Sequence, residues 1–245
     1  MKLFVLSLVL VAAAALAQDA IPPGTILPVQ LDSTINASKA HPGQAITARI
    51  MQDVPLPGKA RIRANSKVIG HVVAVTPASA SSVAQLTLSF DSVVQGKRRI
   101  LVVTKLRALA NMMDVADAQI PMSGADRGTS EADWVTEQVG GDINYHGTYV
   151  TNGSTVVGQS MLGNGALVRV RSGPGEKCRA EIDGSDLMQA LWVFSSDACG
   201  LFGYPDMKIV HAGRSNPVGQ ITLKALKGNL VIRGGSGLLL RVDGF

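Results

Sequence analysis

The sequence predicts an all-β protein, and three observations carry that expectation. Apolar residues return at every second position through most of the chain, Pro-Gly and Gly-rich turns punctuate those runs, and the runs recur at roughly ten-residue spacing. The expected architecture is two β-rich units behind a cleaved leader. A barrel-like unit over 21–122 and a sandwich or barrel-like unit over 143–245 flank a connection over 123–142.

The chain opens "MKLFVLSLVLVAAAALAQDA", with one lysine, an apolar run from Leu3 to Leu16, and Ala15-Leu16-Ala17 before Gln18. That pattern predicts a secretory signal peptide over 1–17, because the run is shorter than the ~20 apolar residues of a spanning helix and ends in a small-x-small cleavage site. Export to the periplasm or beyond follows, and Gln18 in place of cysteine gives no lipid-anchor signal. The rest of the chain holds no apolar stretch of membrane-spanning length. Stepping back by twos from Phe245 meets Asp243 and Arg241, the wrong register for a lipid-facing barrel strand.

In the first half Leu27, Val29 and Leu31 alternate with polar or proline positions, and Ile46, Ala48 and Ile50 alternate with Thr47, Arg49 and Met51. Leu86, Leu88 and Phe90 form a third such run. After the Gln95-Gly96-Lys97 turn, Ile100, Val102, Leu106 and Ala108 are expected on one face, and Pro42-Gly43 and Pro57-Gly58 mark further turns. The segment from Ser123 to Asp142 breaks the alternation and predicts one short helix, capped by Thr129 or Ser130 and stopped at Gly140-Gly141.

Strand patterning resumes at Val168 and Val170, and a "SGPGEK" turn leads to Cys178, Ala180 and Ile182. Further strands are expected at Leu191–Phe194, Met207–His211 and Val218–Ala225. Leu230–Ile232 and Leu238–Val242 are expected to pair as a hairpin around "RGGSG". Two cysteines in an exported chain, Cys178 and Cys199, predict a disulfide worth about 3 kcal/mol on the chain-entropy view.

Charge is unevenly spread. From Gln18 to Met122 there are 11 Lys/Arg against 6 Asp/Glu; from Ser123 onward there are 11 against 12. Arg61, Arg63, Lys67, Lys97, Arg98 and Arg99 make the basic half a candidate surface for an envelope protein or an anionic cell-envelope polymer, although a solvated strand face with a charged hairpin tip explains the same residues. Nucleic acid is disfavoured, since this half offers Phe90 and almost no other aromatic for base stacking.

The first half also carries a family pattern. Gly24-Thr25 precedes an apolar strand, "LDSTIN" follows, Pro42-Gly43 precedes "ITARIMQDV", and "IRANSKVIGHV" closes the set. Over roughly Ile21 to Val103 the chain resembles the β-barrel core of the TrbI-like family, the outer channel component of conjugation and type IV secretion machines. Where that family has Pro-x-Gly-Ser and a glycine four residues later, Ser66 and Gly70 match, while Arg63 and Asn65 stand for the proline and the first glycine. Asparagine tolerates a left-handed turn, so the bend can survive the exchange. The resemblance implies a β-barrel module in the cell envelope and supplies no catalytic residues.

Catalytic templates fit poorly. Ser160 in "GQSMLG" and Ser195 and Ser196 in "FSSDACG" lack the G-x-S-x-G setting of a nucleophile elbow. One alternative remains in "WVFSSDACGLFGYP": Ser196 or Cys199 as nucleophile, His211 as base and Asp197 nearby, which requires those groups to meet in space. His41, His71, His146 and His211 are scattered without metal-ligand spacing, and "EIDGSD" from Glu181 to Asp186 reads as an Asp-Gly turn, so neither metal nor cofactor is expected. The expectation is therefore an exported, non-enzymatic envelope module for binding or assembly, with homo-oligomerisation open. A cell-wall or polymer-acting hydrolase and a subunit of a TrbI-like export channel are the alternatives.

Overall fold

A computed structural model describes residues 20–146, 148–161, 165–170 and 187–244. The leader expected at 1–17 and Cys178 lie outside the described residues, as do the turn and strand expected after Arg171. The fold is all-β. β1 (Ile26–Leu31), β2 (Ile35–Asn36), β3 (Ala45–Ile50), β4 (Val54–Pro55), β5 (Arg61–Ile62), β6 (Lys67–Thr76), β7 (Gln85–Gln95), β8 (Arg98–Leu101) and β9 (Val103–Ala110) precede a short helix, α1 (Met112–Asp117). β10 (Val135–Glu137), β11 (Ile143–Tyr145), β12 (Tyr149–Asn152), β13 (Thr155–Ser160), β14 (Ala166–Val168) and β15 (Gln189–Ala190) form the middle of the chain. β16 (Gly200–Phe202), β17 (Met207–Ala212), β18 (Ile221–Ala225), β19 (Val231–Ile232) and β20 (Gly237–Asp243) complete it. No helix among the described residues is long and apolar enough to cross a membrane.

The sheets interleave the two halves. A ten-stranded sheet runs β16-β9-β20-β1-β3-β6-β7-β18-β17, with β8 also paired to β7, and a six-stranded sheet holds β10 to β15 in chain order. Strands from 200–243 thus complete the sheet begun by 26–110, and a boundary at 123–142 does not separate the sheets. The reason lies in the register. β20 inserts between β1 and β9, and Leu240 enters the same apolar cluster as Leu27 and Leu106, so neither half closes that core without the other.

The large sheet curls toward closure. Val102 N donates to Asp91 O at 2.9 Å and Thr104 Oγ1 donates to Phe90 O at 3.2 Å, tying the start of β9 to β7. The β17–β18 turn lies on β9 so closely that a Cβ on Gly213 would stand 3.1 Å from Thr104 O. Inside sit Leu27, Val29, Leu31, Ile46, Ile50, Leu86, Leu88 and Phe90, the side chains whose alternation marks them in the sequence.

β1, β9 and β20 are buried on both faces. Their outward side chains Ile26, Ala108, Ala110 and Leu239 pack in a second core with Val150, Val157, Val168 and the 191–194 segment, which covers them with the smaller sheet. Ala108 therefore faces away from Val102 and Leu106. A bulge causes the switch: Leu239 pairs with Ala108 but Leu240 pairs with Leu106, leaving Arg107 as the extra residue.

Local chemistry accounts for the turns. Asn65 stands at φ +66°, the left-handed turn foreseen for it, and hands the chain into β6. Gly70 sits at a register shift where a Cβ would collide with Ser89 O, so only glycine fits. The helix expected in 123–142 is a single 3-10 turn at Glu131–Asp133, where Ser130 Oγ accepts from Ala132 N, and Gly140-Gly141 forms the β10–β11 turn. "RGGSG" is not a hairpin turn: β19 pairs with β2 and β20 with β1 and β9, so it carries the chain from a small sheet to the large one.

Candidate functional site

The 192–196 stretch is buried throughout but is no strand. Trp192 lies at φ +53°, a left-handed conformation that costs a bulky residue free energy and breaks any ladder. Its peptide groups are held from outside the sheets instead. Trp192 N donates to Gln52 Oε1 at 2.7 Å, and Trp192 O accepts from Gln138 Nε2 at 3.1 Å. Gln52 Nε2 donates in turn to Ala166 O at 2.8 Å.

The β10–β11 hairpin supplies the next clamps. Thr136 pairs with Asn144, and Gln138 N donates to Asp142 O at 2.7 Å, so four buried polar side chains occupy one face of the hairpin. The Asp142 carboxylate accepts from Ser196 N, Arg107 Nη2 donates to Ser196 O at 3.2 Å, and Val139 donates its N–H to Val193 O at 2.7 Å and accepts from Ser195 N at 2.9 Å. Every group that holds this segment is a fixed donor or acceptor turned on the backbone. The peptides of Trp192 and Ser196 are satisfied by side chains, and Val139 supplies backbone partners to Val193 O and Ser195 N.

This arrangement leaves little chemistry for a nucleophile. Ser196 Oγ is buried with no hydrogen-bond partner among the described residues, and Ser195 Oγ donates to Asp197 Oδ1 at 3.1 Å. His211 engages its own hairpin: Nδ1 lies 2.7 Å from Gln220 O and 2.9 Å from Gly213 N, and Nε2 lies 3.3 Å from Ser215 Oγ. No hydrogen bond joins His211 to Ser196 or Asp197. Cys199 precedes β16 on β9, whereas His211 sits on β17 beside β18. Ser160 Oγ is likewise buried and unpartnered. His71 is paired with Asp91 at 2.8 Å and serves the β6–β7 surface.

The basic residues fall in two groups. Lys67 is in register with Val94, and Val94 with Arg99, so both cations flank one valine on a shared outer face; Arg49 extends the row from β3. Arg61 and Arg98 line one surface cavity of about 310 Å³ with Ile21, Leu56, Ile62 and Ile100. Arg63 and Lys97 stand exposed in the turns beside them. Arg61 pairs with Asp53 at 3.2 Å and Arg49 with Asp32 at 2.8 Å, which trims but does not cancel the positive face.

Sequence reasoning passed over Gln52, Gln138 and Asp142. A signal exists for Gln52, which continues the inward phase of Ile46, Ala48 and Ile50 and so places an amide where a core side chain is due. No protein-family model matches the chain, no curated protein is similar to it, and no solved structure matches its fold.

Proposed function

We propose that this is an exported envelope protein that acts without catalysis, as a binding or assembly module whose basic face meets an anionic partner. One observation supports the reading: the β3-β6-β7-β8 register lines Arg49, Lys67 and Arg99 in one exposed row, and Arg61 and Arg98 line a separate surface cavity. A surface of that sign attracts a polyanion such as an anionic envelope polymer or an acidic envelope protein, and the attraction weakens as salt shortens the Debye length. Commitment of Ser195 and His211 to local hydrogen bonds, and burial of Ser196 Oγ, favour this over a hydrolase.

The leader over 1–17 supports export, and export supports a Cys178–Cys199 disulfide; no described cysteine is free. The TrbI-like resemblance over Ile21 to Val103 supports an envelope location. The test is retention of the purified protein on immobilised dextran sulfate beside neutral dextran. Selective, salt-reversible retention that disappears in Lys67→Glu/Arg99→Glu supports the reading; equal passage through both matrices overturns it.

A further inference from the structure

Segments far apart in the chain converge on the cavity that Arg61 and Arg98 line: residues 20–22 ahead of β1, the β4–β5 hairpin and the β7–β8 hairpin. Strand alternation separates it from the Lys67–Arg99 row. Arg99 stands opposite Val94 beside Lys67, whereas Arg98 and Ile100 share the other face of β8. That face looks toward the core. Ile100 and Leu56 are half-buried and pack against the apolar cluster that contains Ile21 and Ile62.

The lining combines apolar surface with charge of one sign. Pro22, Leu56, Pro57 and Ile100 present the apolar wall, and Ile21 and Ile62 lie buried beneath it. Among the described lining residues there are two guanidinium groups and no carboxylate. Arg61 also meets Asp53 beyond the lining, with Nη1 3.2 Å from Oδ2, while Asp53 Oδ1 accepts from Ala64 N at 2.8 Å. A guanidinium has five N–H donors, and the Arg61 side chain is 60% exposed, so this pair leaves donors for an anion. At about 310 Å³ the cavity has the size of a small-molecule site, and a mostly apolar wall with a few polar groups is the usual form of one.

We infer that this cavity binds a single-chain amphiphile with an anionic head, carboxylate or phosphate. The head lies at Arg61 and Arg98, and the first part of the chain lies on Leu56 and Ile100. A simpler ligand serves only half of the lining. An anion without a chain leaves the apolar wall in water, and a neutral chain gains nothing from the guanidinium groups; the amphiphile uses both. The site occupies the face of β8 opposite the row invoked in the proposed function, so either can fail while the other stands.

The test titrates decanoate, decyl phosphate, decanol and acetate, each in its monomeric range, into isotope-labelled protein. Amide shifts at Ile21, Leu56, Ile62 and Ile100 are read by NMR. Saturable shifts are expected with decanoate, decyl phosphate or both, and which of them binds identifies the head. Binding at least about tenfold weaker is expected for decanol and for acetate, with a similar loss for the anionic amphiphiles in Arg61→Gln/Arg98→Gln. The ligand series on the parent protein decides the matter should that variant fail to fold. No saturable shift from either anionic amphiphile, decanol or acetate binding as tightly as they do, or a folded arginine variant that binds like the parent would each overturn it. Retention on dextran sulfate reads the row and this titration reads the cavity, so the two results are distinct.

Discussion

Gln52 Oε1 accepts the peptide N–H of Trp192 at 2.7 Å, joining residues 140 positions apart inside the protein. The same side chain donates to Ala166 O, so one glutamine links the end of β3, the start of β14 and a left-handed tryptophan. Gln52→Ala strands the buried Trp192 N–H, while Ala166 O keeps its bond from Leu191 N, for a loss of about 2 kcal/mol. Urea unfolding monitored by tryptophan fluorescence measures it, and a loss below about 1 kcal/mol contradicts the assignment.

Asp142 holds the neighbouring peptide by accepting from Ser196 N in a fully buried setting. Asp142→Ala removes that acceptor and is expected to cost about 3 kcal/mol, whereas Asp142→Asn keeps an oxygen there and costs less. Equal losses in the two variants would mean that the charge, and not the hydrogen bond, is what matters.

Ser196→Ala separates structure from catalysis. Its Oγ is buried without a partner, so removing it leaves stability unchanged or raises it by about 1 kcal/mol. A marked fall in the unfolding midpoint would show that the hydroxyl has a partner.

Asp114 carries the pH signature. Its folded pKa lies above the ordinary 3.8 because of burial first and Asp117 second, so the acid form is favoured by folding. A carboxyl with a raised folded pKa is most favourable below its unfolded value and loses that contribution as pH rises through the folded one. Asp114→Asn should therefore raise the thermal midpoint relative to the parent at neutral pH, and the gain should vanish below the unperturbed value. Thermal melts across the acid range decide this; a gain that persists at the acid end contradicts it.

Asn65 tests the turn into β6. At φ +66° a glycine is tolerated with little change, while Asn65→Val costs about 1–2 kcal/mol. Paired denaturation curves of the two variants measure the difference.

Strands were legible wherever one face is buried and the other wet, as in β3 and β6, because alternation reports a half-buried ladder directly. Pairing was not. Nothing local tells β20 to insert between β1 and β9, since Leu238–Val242 reads as a hairpin partner of the nearest apolar run, and the choice is made by a core assembled from distant residues. Leu191–Phe194 looks like a doubly buried strand because its composition is apolar, yet Trp192 turns left-handed and both its peptide groups bond to the side chains of Gln52 and Gln138. The basic residues could be read as a set, and which of them share a face depends on pairing: the register through Val94 puts Lys67 beside Arg99 and leaves Arg98 out of that row.

The proposed function puts the protein's action on the Lys67–Arg99 row and not on the Ser196–His211 region. Co-sedimentation with isolated cell envelopes tests it most directly, comparing the parent with Lys67→Glu/Arg99→Glu and with Ser196→Ala/His211→Gln. The parent and the serine–histidine variant are expected to sediment alike and to be released by added salt, while the charge-reversed variant stays in the supernatant. Sedimentation of the charge-reversed variant together with loss of the serine–histidine variant would contradict it.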